Sequence, residues 1–174
     1  MKFGVHLSIS GGMHKMARTA VALGCETVQI FSRSPRGGKA KDLRPDDVLA
    51  MRRLFKEHKI GPLIVHAPYF MNLAAKDKVK RDYSIEVLTG ELVRAETLGA
   101  SFVITHIGHR EKDEEPEAQQ SLVRVLHSIE EVLALYSGPV KLLLENTTGQ
   151  GREVGSTFEA LGFLIRGLPP DRVG

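Results

Sequence analysis

The sequence predicts an α/β protein built on a parallel sheet, and three observations carry that expectation. Five short apolar runs, at residues 3–7, 27–31, 63–65, 102–105 and 140–144, show little polar alternation, as strands covered on both faces do. Segments of helical period lie between them. Glycines stand just past those segments, at Gly24, Gly61, Gly99, Gly138 and Gly167, spaced by 37, 38, 39 and 29 residues. A glycine favours the left-handed cap of a helix, so the regularity suggests repeated strand–helix units.

Taken in order, the first run opens almost at the N-terminus and ends in His6. The single cysteine, Cys25, sits between a helix end and the second run, has no internal disulfide partner and is given no role. After the second run comes SRSPRGGKAKDLR, residues 32–44, with Arg33, Arg36, Lys39, Lys41 and Arg44 against one acid, Asp42. Too rich in glycine and proline for a helix, it reads as a flexible basic loop. Pro45 then suits a first helical turn, as does Pro116 later in the chain. The third run ends at His66. It is followed by Tyr69 and Phe70, read as exposed, and by a helix with the apolar stripe Val79, Tyr83, Val87, Leu88, Leu92, Ala95. The fourth run ends at His106 and precedes the stripe Leu122, Val125, Leu126, Ile129, Leu133, Tyr136. The fifth ends at Glu145. Residues 171–174 read as the first step of a sixth strand. Gly149, Gly151 and Gly155 have the wrong spacing for a dinucleotide loop, so no nucleotide cofactor is expected.

Composition limits the function classes. With 174 residues, 42% hydrophobic, the chain can bury one sizeable core, and residues 1–174 are expected to form a single domain. No apolar run approaches eighteen residues and residues 2–7 read straight into a strand, so neither a membrane span nor a signal peptide is expected and the default location is cytoplasmic. A net charge of +3 is too small to point at a polyanion by itself; the basic segment is the more telling feature.

The polar residues select an architecture. Runs that end in His6, His66, His106 and Glu145 place acid–base or metal-binding groups at equivalent strand ends. In a TIM-type (β/α)8 barrel those ends meet at one mouth, whereas in an open sheet most would lie far from the binding crevice. The expected fold is therefore a TIM-type barrel, here incomplete with about five β/α units. His66, His106 and Glu145 together form a mixed nitrogen and oxygen site for zinc or another divalent metal. Glu145 is the candidate catalytic carboxylate, able to bridge two ions around a water acidified at neutral pH. The basic loop projects from the same mouth and can hold a nucleic acid backbone, while Tyr69 and Phe70 can wedge into a base stack.

The segments GVHLSISGG (4–12), VHAPYFMNLA (65–74), THIGHR (105–110) and LLLENTTGQG (142–151) resemble endonuclease IV, the zinc-dependent apurinic/apyrimidinic endonuclease family. The resemblance runs in register over essentially the whole chain, and ENTTGQG is its most specific piece. It implies a TIM-type barrel with three zinc ions. It also implies a DNA repair activity that hydrolyses the phosphodiester 5′ to abasic sites in double-stranded DNA and leaves a 3′-hydroxyl. His66, His106 and Glu145 fall on positions that match zinc ligands of that family. Arg36, Tyr69 and Phe70 fall on loops that enter the DNA minor groove and expose the abasic sugar. Where family members often carry larger polar and aromatic residues after the arginine, this chain has Gly37 and Gly38. The resemblance also implies further ligands on strands six to eight, so the chain by itself is expected to nick DNA poorly. Two other readings stay open: a metal-dependent sugar isomerase or epimerase of the same barrel group, and a non-catalytic DNA-binding fragment.

Overall fold

A computed structural model describes residues 1–111 and 115–174. Strands and helices alternate: β1 Gly4–Leu7, α1 Met13–Ala22, β2 Thr27–Phe31, α2 Pro45–Glu57, β3 Leu63–His66, α3 Lys78–Leu98, β4 Phe102–Thr105, α4 Glu115–Leu135, β5 Lys141–Leu144 and α5 Phe158–Gly167. The strands form one parallel sheet in the order β1-β2-β3-β4-β5. These are five of the eight strands that close a TIM-type barrel. Strand limits match the sequence reading to within a residue, β3 extending to include His66.

Alternation along each strand sorts the two faces of the sheet. Val28, Ile30, Leu63, Val65, Val103 and Leu142 are buried in the main apolar core, with Met16, Met51, Leu88, Leu92, Ile129 and Leu164 from the helices. On the opposite face stand Gln29, Phe31, Ile64, His66, Ile104 and Leu143, in register across the sheet. Residues 172–174 pair in parallel with β5, through the Leu142–Val173 bridge and the bond from Leu144 N–H to the Gly174 carbonyl at 2.8 Å. This is the sixth-strand step expected from the sequence. Among the described residues no helix is long and apolar enough to cross a membrane, and Cys25 is free and buried.

Three expectations need correction. Only Gly24 and Gly99 take the left-handed cap, with φ of 67° and 75°. After α2 that conformation belongs to Lys59, Gly167 ends α5 within the helix, and Gly138 is required by space. A Cβ at Gly138 would sit 2.4 Å from the Tyr136 hydroxyl. Second, the α3 stripe is buried from Ser84 onward, while Val79 and Tyr83 are exposed. Third, the basic loop is tied down rather than hanging free, as described below.

Helix ends are stabilised by side chains. Asp77 caps α3 by accepting from the Val79 and Lys80 amides, and Thr157 caps α5 from the Ala160 amide. Helix α1 has Gly12 at its cap, and the missing acceptor comes from α2: Asp47 accepts from the Met13 and His14 amides at 2.7 and 3.0 Å. Burial would push the Asp47 carboxyl up, but those amides and the nearby Arg44 and His14 outweigh it and hold it below the ordinary range. The loop after β3 is buried at Met71, Leu73, Ala74 and Ala75. Helix α4 clasps it, with Ser128 donating to the Leu73 carbonyl at 3.0 Å and Arg124 to that of Ala74 at 2.7 Å. The Arg124 guanidinium also meets the buried Glu117 at 2.6 Å, and Lys76 meets the same carboxylate at 2.7 Å.

Burial alone would raise the Glu117 carboxyl, yet the bonds from Lys76 and Arg124 prevail and depress it. A depressed acid stabilises the fold above its unfolded pKa, and that stabilisation is lost as pH falls through the folded value. Glu117→Gln is therefore expected to lower Tm at neutral pH by roughly 3–8 °C. The gap between variant and wild type should close on acidification, when both side chains are uncharged; melting curves from pH 7 down to pH 3 that run parallel would refute this.

Candidate metal centre and nucleic-acid interface

The residues after β4 and β5 are neighbours because Thr105 and Leu144 are register partners and the Glu145 amide donates to the Thr105 carbonyl at 3.0 Å. That places His106 beside Glu145. His66, at the end of β3, lies on the same face two residues below His106 in the register. The ligand atoms of His66, His106 and Glu145 all lie within 4.8 Å of one another. Glu145 Oε2 stands 2.9 Å from His66 Nε2 and 3.4 Å from His106 Nε2.

One hydrogen in this group can be assigned. His66 Nδ1 lies 2.7 Å from the Ala67 carbonyl, which can only accept, so Nδ1 carries the hydrogen. A neutral His66 then turns the lone pair of Nε2 toward a carboxylate oxygen that also bears lone pairs. Such a contact is repulsive unless a second proton or a cation lies between the atoms. His106 Nδ1 is buried without a hydrogen-bond partner. Two imidazoles aimed at one carboxylate oxygen, one of them donating its other N–H to a carbonyl, is the donor arrangement that orients histidine toward a metal. Zinc with nitrogen and oxygen ligands near 2.0–2.1 Å separates neighbouring ligand atoms by about 3.3 Å, which the two contacts bracket. The residues present thus fit a divalent cation. The group is half-open, with His66 6% and Glu145 38% exposed at the side chain.

His6 does not join it. Its Nδ1 pairs with the Gln29 amide at 3.0 Å and its ring lies 4.5 Å from Phe31. Burial, followed by the influence of His66, holds its imidazole below the ordinary range.

Tyr69 stands over the histidines, its ring 5.3 Å from His66 and 5.6 Å from His106, and it is 59% exposed. Phe70, expected to be exposed, is instead partly buried against the core, stacked on Tyr83 at 6.0 Å and covered by Arg33 at 5.7 Å. The basic loop turns at residues 34–37, where Gly37 N–H meets the Ser34 carbonyl and Gly37 and Gly38 have φ of 111° and 88°. Those glycines fold the loop back toward Phe70 and leave Arg36 exposed at the turn. Pro35 accepts from the Tyr69 amide at 3.2 Å, and Arg94 of α3 donates to the carbonyls of Ser32 and Lys41. The loop from β2 and the loop from β3 are therefore one connected surface.

A residue not singled out in the sequence joins the loops from β3 and β4. Asn72 Oδ1 accepts from the amides of Ala74 and His109 at 3.0 and 3.1 Å, and its Nδ2 donates to the His109 carbonyl at 3.1 Å. The neighbouring residues of the β4 loop pair in turn with the β5 loop, through Val154 N–H to the Gly108 carbonyl and Arg110 N–H to the Arg152 carbonyl. Gly108 must be glycine: its φ is 115°, and a Cβ would lie 2.2 Å from Asn72 Oδ1. The sequence signal was the asparagine inside VHAPYFMNLA, a buried-loop polar group among apolar neighbours.

Residues 17–174 match a family described as xylose isomerase-like TIM barrel. The probable endonuclease 4 of Cenarchaeum symbiosum (strain A) is 39% identical over 172 residues, 98% of this chain and 60% of that protein. That of Heliobacterium modesticaldum (strain ATCC 51547 / Ice1) is 38% identical over 175 residues, 100% of this chain and 62% of its own length. The chain thus spans about 60% of the length of the curated relatives it matches. Among solved structures, endonuclease IV from Thermus thermophilus aligns with a TM-score of 0.82 at 32% identity, over 95% of this chain and 59% of that one. A D-tagatose 3-epimerase-like protein aligns at 0.76 and 21% identity, over 100% of this chain and 63% of its own, a likeness of fold.

Replacing Asn72 by Ala strips acceptors from two amides and is expected to cost about 1–3 kcal/mol of stability. Gly108→Ala, which is strained both in φ and in space, should cost at least as much. Urea unfolding measures both; a wild-type midpoint for Asn72→Ala would show that the asparagine does not hold these loops together.

Proposed function

The chain belongs to the xylose isomerase-like TIM barrel family, and from that premise we propose that it is a DNA repair endonuclease of the endonuclease IV type. The proposed reaction is zinc-dependent hydrolysis of the phosphodiester 5′ to an abasic site in double-stranded DNA, leaving a 3′-hydroxyl. The likeness to proteins named endonuclease 4 over nearly all of this chain supports the reading. The observation that carries it is the convergence of His66, His106 and Glu145 on one point, beside a basic loop and an exposed tyrosine.

His66, His106 and Glu145 would hold the metal, with Glu145 able to bridge two ions; three ions are proposed, of which these residues make one corner. Zinc, when bound, would supply Lewis acidity to the phosphodiester and its attacking water. The protein's own groups do the rest. Glu145 is the proposed catalytic residue: its carboxylate can accept a hydrogen bond from the attacking water and so direct a lone pair at phosphorus. The Ala67 carbonyl keeps the His66 hydrogen on Nδ1, which reserves Nε2 for the metal. Arg36, Lys39, Lys41 and Arg44 are exposed and would neutralise successive phosphates. Tyr69 offers an exposed ring next to the ligands, suited to stacking where a base is missing. Phe70 would act through its packing between Tyr83 and Arg33, holding the two loops together rather than entering DNA. The work of such a nuclease is proposed to be cytoplasmic, beside the DNA.

A sugar epimerase of the same barrel group is the alternative that the fold neighbours raise, and the basic loop argues against it, since a small neutral sugar gains nothing from four exposed cations. Titration calorimetry is expected to show zinc binding that weakens at least about tenfold in His66→Ala and in Glu145→Gln. Fluorescence anisotropy should show binding to a duplex bearing an abasic analogue, with a slope of log K against log salt of about −3 to −4 for four phosphate contacts. Ketose epimerisation without salt-dependent DNA binding would overturn the assignment.

A further inference from the structure

Helix α3 carries a carboxylate where its packing pattern asks for an apolar side chain. Glu91 stands one turn from Val87 and from Ala95, next to Leu92, and is fully buried. A buried acid is costly unless it is paired, and the helix would pack without one. Burial pushes this carboxyl up, against the opposing pull of Ser32, Arg94 and Arg33. Its Oε2 accepts from Ser32 Oγ at 2.6 Å, while its Oε1 has no hydrogen-bond partner.

Ser32 is the residue immediately after β2, where the basic loop begins, and is itself buried. Its hydroxyl oxygen accepts from Arg94 Nε at 2.9 Å and its carbonyl from Arg94 Nη2 at 2.6 Å. The remaining guanidinium nitrogen, Nη1, reaches the Lys41 carbonyl at 3.0 Å. One side chain therefore grips both ends of the segment that bears Arg36 and Lys39. The direction of the bonds follows from chemistry: a guanidinium can only donate, so Ser32 must deliver its own proton to another acceptor, and Glu91 is that acceptor.

We propose that Glu91 is a positioning residue for the DNA grip: by accepting the Ser32 proton it commits the serine's lone pairs to Arg94, whose guanidinium then staples the two ends of the basic loop beside the metal corner. The inference rests on the nuclease reading for its purpose, although the staple itself does not. An apolar residue at this place would serve the helix better, and the acid is explained by the loop it holds.

The test compares Glu91→Leu with Glu91→Gln, which keeps an acceptor oxygen. Glu91→Leu should melt within a few degrees of wild type. Its amides between residues 33 and 41 should exchange with deuterium about tenfold faster, and its affinity for a fluorescent duplex bearing an abasic analogue should fall about tenfold. Glu91→Gln should restore both properties to within about twofold. A residue that serves packing alone gives the reverse order, with the leucine variant behaving as wild type. If Glu91→Leu does not fold, Arg94→Lys keeps the charge, loses the staple, and should show the same two effects. Unchanged exchange in residues 33–41 for a folded variant overturns the proposal. Absence of duplex binding by the wild type instead overturns the nuclease reading, and the exchange measurement still decides whether the staple exists.

Discussion

The site depends on one oxygen atom that faces two imidazole nitrogens. The Ala67 carbonyl fixes a hydrogen of His66 on the far side of its ring, at Nδ1, and the near side, Nε2, faces Glu145. At 2.9 Å the contact calls for a second proton on the imidazole or a cation between the two atoms. The parallel register delivers His106 and Glu145 to adjoining positions, and backbone bonds between β4 and β5 hold them there. A cation is the simplest partner for such a set, and the rest of the molecule serves as its mount.

Much of this was legible in the sequence, for a physical reason. Parallel strands covered by helices read as continuous apolar runs, and a polar residue at the same place in successive runs stands out against them. His66, His106 and Glu145 were visible because the repeat multiplies the signal; His6 obeyed the same pattern and turned out to pair with Gln29. Helix ends were less legible, since glycine serves several purposes. Gly24 and Gly99 answer a left-handed backbone, while Gly138 answers crowding by Tyr136. Neither cause leaves a distinct mark in a single chain.

The loops were the least legible part. Residues 32–44 look mobile by composition, yet Arg94, sixty-two positions from Ser32, fastens them. Asn72 does the same between the loops from β3 and β4. Both are long-range contacts made by polar groups whose partners are mostly backbone atoms, and sequence patterns do not record backbone partners. Glu91 did leave a trace, as a charge one helical turn from Val87 and Ala95, but its meaning required seeing Ser32 across from it. Polar fixtures of this kind trade some stability for a fixed geometry at the mouth.

Helix α1 points its N-terminus toward the same region, and such an end is ordinarily a ready cradle for phosphate. Here Asp47 already fills it. The built-in carboxylate works as a stopper, silencing the one main-chain attraction that α1 could offer an incoming strand. In the proposed nuclease, affinity for DNA would then reside in replaceable surface lysines and arginines, and its strength would drift through single exchanges on the rim while the barrel wall beneath is left untouched.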